Sequence, residues 1–355
     1  MISLTRRINP IALVLVVSCL GFGANPAPEE FLRTKMQLSN GQLAKIQKGS
    51  AVAKILPSSD PAEILVFGAV YIRSKPAAYL QFMQDITRKK QVAGYLAAGE
   101  FSAPPTVGDM DGLSLEHDDI EDLRNCRPGD CELQLPSESM EAARASIDWN
   151  SPNVAEKVNI LAKRKIISLL AEYQQSGDRV LGAYHDKHDP ISVAQHFRSL
   201  LSHVEYFPQY LPDLNRYLLD YPNSRPDGAQ GSIYWEKVDF GLKPTIRVNH
   251  VTFYRASNPE HQVYVLAIKQ LYATHYFQTA LDLSFCIQGS EAGAENGFYL
   301  MTVKASRQAG LTGVKGGLLR KIVVDKTRSS LEAALNSIRQ NLEHRIGSPG
   351  VKDNH

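Results

Sequence analysis

Between Ser232 and Ser306 five β-branched, aromatic segments follow one another: Ser232 to Val238, Thr245 to Tyr254, Gln262 to Tyr272, His275 to Ile287 and Gly297 to Ser306. Little separates them but Gly, Pro and Asn turns. Parallel strands need crossovers of a dozen residues or more, so links this short predict an antiparallel meander. From Ala267 to Leu281 a helix would also fit the pattern. Such a sheet has two faces, and other parts of the chain must supply its cover.

Two candidates for that cover flank the meander. Arg328 to Arg345 places Leu331, Leu335, Ile338 and Leu342 on one helical stripe. Upstream, the apolar run Glu63 to Ile72 predicts a strand, and Lys75-Pro76 starts a helix with Tyr79, Leu80, Met83 and Ile86 on one side. Tyr95 to Pro105 adds a short strand. Helical periodicity then dominates over Ser137 to Ile147, Val154 to Gln175, Ile191 to Val204 and Leu211 to Leu219, with prolines at the joints. The fold class is α+β: an antiparallel curved sheet packed on a long C-terminal helix, with a large helical insertion at about 87–225.

This order of elements resembles the START-like, or helix-grip, superfamily. The resemblance rests on Glu63 to Ile86 and Ser232 to Arg345, a matter of element order without signature residues. It implies a domain over 61–347 whose sheet wraps the last helix around a cavity for a lipid or other apolar small molecule. The helical block does not match compact members of the superfamily and stands as an insertion.

The chain begins with Arg6 and Arg7, an apolar run from Ile11 to Leu20, and the small residues Gly21, Gly23 and Ala24. That order predicts a cleavable export signal over 1–24. The run is about ten residues, against the roughly 20 of a spanning helix. Cys19, in Val16-Val17-Ser18-Cys19, is a candidate lipidation site; ordinary cleavage after Gly23 would discard it. The polar, proline-broken stretch 25–60 reads as a leader with at most a short helix around Phe31 to Ile46, and 348–355 as a disordered tail. The expected location is periplasmic or extracellular, free or membrane-anchored through Cys19.

Arg6 and Arg7 account for the formal charge of +2, so the remaining chain is neutral and lacks the basic footprint that nucleic-acid binding requires. In an oxidising compartment Cys126 and Cys131, around Arg-Pro-Gly-Asp, predict a disulfide. Cys286 reads as a buried thiol.

Catalytic signatures are sparse. The acidic stretch Asp109 to Asp122 fails the calcium-loop pattern, with Val107 at its first position and Asp118 at its last. His185, His188, His196 and His203 lie close in sequence without a His-Glu-x-x-His, so solvated or capping roles are favoured over metal. No Gly-x-Ser-x-Gly occurs, and the glycines at 310, 313, 316 and 317 lack the Gly-Lys-Ser/Thr ending of a phosphate loop. No cofactor is expected.

That glycine-rich stretch reads instead as a flexible basic and apolar loop. Lys315, Leu318, Leu319, Arg320 and Lys321 are candidates for a gate touching an anionic membrane surface. Trp235, Arg247, His250, Tyr272, His275 and Tyr276 are polar or amphipathic groups in otherwise core-like segments, hence candidate ligand contacts. Buried aromatics and satisfied histidines would account for them equally well. The first expectation is a binding or transfer module without covalent chemistry; the alternatives are a cyclase- or hydrolase-like enzyme in the same cavity, and a protein-interaction module using the helical block.

Overall fold

A computed structural model describes residues 27–86, 94–204, 206–256, 263–288 and 297–344. The export signal, Cys19 and the tail therefore lie outside the described residues. One antiparallel sheet dominates, with eight strands in the order β1-β2-β10-β9-β8-β7-β6-β3. Its strands are β1 (Val52–Leu56), β2 (Glu63–Ile72), β3 (Tyr95–Glu100), β6 (Gln230–Val238), β7 (Thr245–Ala256), β8 (Val263–Ala273), β9 (Phe277–Gln288) and β10 (Phe298–Gln308). A separate small ribbon pairs β4 (Ala183–Tyr184) with β5 (Ile191–Ser192). The five predicted meander segments are β6 to β10, and Ala267 to Leu281 is strand, turn and strand. The strand predicted before the helical block is edge strand β3, paired to β6.

One face of the sheet, here the inner face, carries Ile64, Val66, Val70, Leu300, Leu266 and Val251. It is covered by α3 (Pro76–Gln84) and the long α10 (Gly313–His344). Helix α10 lies on β1 and β2. Its contact with β2 depends on Gly68: a Cβ there would sit 2.8 Å from both Leu331 and Leu335 side chains. This is the helix-grip arrangement, a curved sheet closed on its C-terminal helix.

Two expectations are corrected here. The glycine-rich stretch before Arg328 is not a loop, because α10 already starts at Gly313 and runs for 32 residues. Gly316 serves close packing: a Cβ would come within 2.6 Å of the Leu311 backbone. The stretch 25–60 is not a loose leader either. It forms α1 (Pro28–Thr34), α2 (Asn40–Gln47) and β1, and Leu32, Leu38, Leu43 and Ile46 are buried. Pro28 occupies the first turn of α1, where a missing N–H costs nothing. Ser39 and Gln42 form a reciprocal capping box on α2.

On the outer face, α1 and α2 are joined by α7 (Val193–Ser202), α8 (Phe207–Tyr210) and α9 (Pro212–Asp220). Phe197, Leu201, Leu214 and Leu218 pack there on Leu65, Phe67, Ala267 and Leu283. Helix α6 (Val154–Ser176) covers the other end through Ile166, Leu170 and Tyr173, against Trp235, Ile246 and Val248. A satellite core surrounds α4 (His117–Asn125) and α5 (Ser137–Ser146). There Cys126 and Cys131 are bonded, Cα to Cα 4.5 Å; Cys286, on β9, is a free thiol buried on the inner face. Disulfides of this kind persist in oxidising, non-cytosolic surroundings.

The outer face also encloses charge. Lys269 is buried, paired with Asp178, donates to Leu218 O at 2.9 Å and lies 4.1 Å from the Phe197 ring centroid. Burial pulls its pKa down, against the attraction of Asp178. Beside it His250 is packed among Tyr173, Tyr217 and Tyr221, its Nδ1 3.0 Å from the Tyr173 hydroxyl. Burial, with Lys269 and Arg225 adding repulsion, holds the His250 pKa down to about 3. An unfolded histidine titrates near 6.5, so between these values only the unfolded chain takes up the proton.

Two outcomes follow from these contacts. Gly68→Ala should cost about 1–3 kcal/mol in a urea unfolding titration, because the helix must lift from β2. The contribution of His250 is fully present above pH ~6.5 and is lost as pH falls toward ~3. In unfolding titrations across that range, His250→Gln should therefore lose less stability per pH unit than the wild type.

Candidate ligand-binding site

Strand alternation sends Ser232, Tyr234 and Glu236 of β6 to the inner face, with Arg247, Asn249, Val251 and Phe253 of β7 and Leu266, Ile268 and Gln270 of β8. Helix α10 sits over β1 and β2, so this part of the face is covered by α3 and the residues after it. Between them lies a cavity of about 290 Å³, near the lower end of the roughly 300–1,000 Å³ of small-molecule pockets. Its walls include Met83, Ile86, Val251, Phe253, Leu266 and Ile268, and exposed Glu100 and Gln230 stand at its rim.

Along the same three strands the apolar wall gives way to polar groups. Tyr234 lines the cavity and is buried against Glu236 and Tyr95; burial, Glu236 and Tyr95 all raise the pKa of its hydroxyl. Glu236 faces Arg247 across the β6–β7 pair, Arg247 Nε to Glu236 Oε1 3.6 Å, with both side chains largely buried. Arg247 also lies 5.2 Å over the Phe277 ring and donates from Nη2 to Asn249 Oδ1 at 3.4 Å. Burial opposes its charge, but Glu236 and its neighbours outweigh this and raise its pKa.

Three buried polar atoms here have no hydrogen-bond partner in the protein: Arg247 Nε, Asn249 Nδ2 and Gln270 Oε1. Asn249 and Gln270 are register partners on β7 and β8, and Arg247 is two residues along the same strand. Each such atom costs about 1–3 kcal/mol if left unpaired, so a cluster of three suits a polar partner, water or ligand. The inner face thus offers a cavity of mixed lining, with Gln84, Ser232 and Tyr234 among its apolar walls, near two donors and an acceptor. Among its described residues no nucleophile is aligned with a base.

The six candidate contacts are divided between surfaces. Arg247 is on the inner face. Trp235, His250 and Tyr272 point outward into the helical cover: Trp235 Nε1 donates to Asp109 O at 2.8 Å, and Tyr272 packs edge-on to Tyr184. His275 and Tyr276 form the β8–β9 turn. The His275 ring is buried between Glu132 O and Asp119 Oδ1, each 3.1 Å from a ring nitrogen, and ties α4 to the sheet. The Tyr276 hydroxyl accepts from Lys243 N at 3.0 Å.

Of the gate candidates, Leu318, Leu319 and Lys321 are exposed on the first half of α10, and Ile322 extends that stripe. Arg320 turns inward and donates to Pro61 O and Glu63 O, both at 3.0 Å. The side chain of Lys315 lies outside the described residues. Glu236, Asn249, Gln270 and Tyr95 escaped sequence reasoning. Their signal was the polar-to-apolar gradient along alternate residues of β7, from Arg247 through Asn249 to Val251 and Phe253.

No family model matches the chain, and no curated protein matches it. Among solved structures it is similar to a START superfamily protein from Mycobacterium smegmatis, over 40% of this chain and 89% of that one, at 16% identity and a TM-score of 0.23. That score carries no argument about function, and the helix-grip description stands on strand order and on the helix seated on the inner face.

Proposed function

We propose that this protein binds an amphipathic small molecule on the inner face of its sheet, without covalent chemistry there. The apolar part of the ligand lies between α3 and strands β6 to β8, and its polar group meets Arg247, Asn249 and Gln270. The observation that carries this reading is a cavity walled by Met83, Ile86, Val251, Phe253, Leu266 and Ile268 together with Gln84, Ser232 and Tyr234, followed along β7 and β8 by three buried polar atoms without a hydrogen-bond partner. The donors of Arg247 and Asn249 beside the acceptor of Gln270 favour a polar, oxygen-bearing head group, and a lipid-like molecule combines such a head with an apolar tail.

Two further parts of the reading rest on separate features. An exported protein accords with the Cys126–Cys131 disulfide and with the charged, apolar, small-residue order of the first two dozen residues. Contact with an anionic membrane accords with exposed Leu318, Leu319 and Ile322 beside Lys321. Lys326 links that stripe to the β6–β7 turn, where Leu242 is also exposed, by donating to Phe240 O at 2.8 Å. Among the described residues no helix is long and apolar enough to cross a membrane.

The cavity is tested by filling it. A dansyl-labelled medium-chain fatty acid should brighten on binding the wild type, and Val251→Trp should weaken that binding at least tenfold while the circular dichroism spectrum stays native. Equal binding by the two proteins, or no binding by the wild type, would count against the proposal.

A further inference from the structure

A second constellation lies on the outer face, at the opposite side of the sheet from the cavity. Glu63 begins β2, and its side chain is wholly buried. Helix α7 is pressed onto this face by Phe197, Leu200 and Leu201, which brings His203 at its C-terminus over Glu63. His203 Nδ1 stands 2.6 Å from Glu63 Oε2. With the carboxylate as acceptor and the ring neutral, Nδ1 carries the proton and Nε2 presents its lone pair, the tautomer that the catalytic role below requires. Facing Nε2, at 3.4 Å, is the hydroxyl of exposed Ser59.

The turn that carries Ser59 is braced on every side. Ser58 Oγ donates to the same Glu63 oxygen at 2.7 Å, Asp60 N donates to Ser58 Oγ at 3.1 Å and Ala62 N to Asp60 Oδ1 at 2.8 Å. Arg307 Nε holds Asp60 Oδ2 at 3.1 Å, and Arg320 grips Pro61 O and Glu63 O. Hydroxyl, imidazole and buried carboxylate are thus in hydrogen-bonding sequence on a rigid turn. The geometry supplies three roles of acyl-transfer catalysis: a nucleophile, a base within reach, and a third group orienting the base. The hydroxyl contact is looser than the ~2.6–3.2 Å of a tight pair, as in many ligand-free sites.

We propose that Ser59, His203 and Glu63 form a catalytic triad that hydrolyses carboxylic esters reaching the protein surface. Ser59 Oγ adds to the ester carbonyl carbon as its proton passes to His203 Nε2. The bond from that carbon to the alcohol oxygen breaks, and the alcohol leaves with the same proton, giving an acyl-serine. Water then attacks the acyl carbon, giving its proton to His203. The bond to Ser59 breaks, the proton returns to the serine oxygen, and the acid departs. Glu63 keeps the ring in its reactive tautomer throughout and stabilises the imidazolium. The exposure of Ser59 fits an ester presented from outside.

A His203–Glu63 contact that merely fastens α7 to β2 would leave Ser59 an ordinary surface hydroxyl, and reactivity separates the two. Purified wild-type protein is treated with a fluorophosphonate probe, digested and mapped by mass spectrometry, and its hydrolysis of 4-nitrophenyl butyrate is followed in parallel. The expected result is probe on Ser59 alone, with Ser59→Ala losing both labelling and at least 90% of hydrolysis. Because Ser59 is exposed, that variant should keep its native circular dichroism spectrum. His203→Gln should slow labelling at least 100-fold; if it fails to fold, the wild type and Ser59→Ala still decide. Unlabelled Ser59 under conditions that label a known serine hydrolase, or equal hydrolysis by wild type and Ser59→Ala, overturns the triad. Labelling and hydrolysis are read with no fatty acid present and cavity binding with no probe present, so failure here is distinct from failure of the ligand cavity.

Discussion

The side chains of Leu331 and Leu335 lie directly on the backbone of β2 because position 68 is glycine. That contact sets where α10 can sit. A helix seated over β1 and β2 is held to one side of an eight-stranded sheet, so strands β6 to β8 need another cover. They receive it from α3 and the residues just after it, a shorter element, and the 290 Å³ cavity lies under this cover. The position of the binding site is therefore a consequence of how closely one helix grips the opposite side of the sheet.

Both faces bury polar groups. On the outer face Lys269 meets Asp178, His275 meets Asp119 and His203 meets Glu63. Such pairs are weak sources of net stability but strongly penalise any rearrangement that separates them. They hold the helical block and α7 to the strands. On the inner face Arg247 is paired with Glu236, and Arg247 Nε, Asn249 Nδ2 and Gln270 Oε1 have no hydrogen-bond partner close to the cavity.

Much of this architecture could be read from alternation and punctuation. The five meander strands, β2, the start of α3 and the helices of the insertion emerge from periodicity, prolines and turn residues. Four things did not. Pro26 and Pro28 made the first ordered segment look broken, although proline in a first turn starts a helix. Gly316 and Gly317 suggested a flexible loop, although a tight approach to the Leu311 backbone demands a glycine within the helix at 316. Both faces of β6 to β8 are buried, so alternation alone could not say that Arg247 points inward while Trp235 and His250 point outward. The Ser59–His203–Glu63 grouping was unreadable for a different reason. Its members are separated by up to 144 residues and meet only when α7 docks on β2.

The central claim is that the inner face holds one amphipathic molecule. Native mass spectrometry of the purified, delipidated protein with a few equivalents of lauric acid tests it most directly. The account predicts a single saturating adduct of one acid per chain, retained at collision energies that strip nonspecific adducts and absent when dodecane is offered in place of the acid. A ladder of adducts growing with concentration, or none, would contradict it.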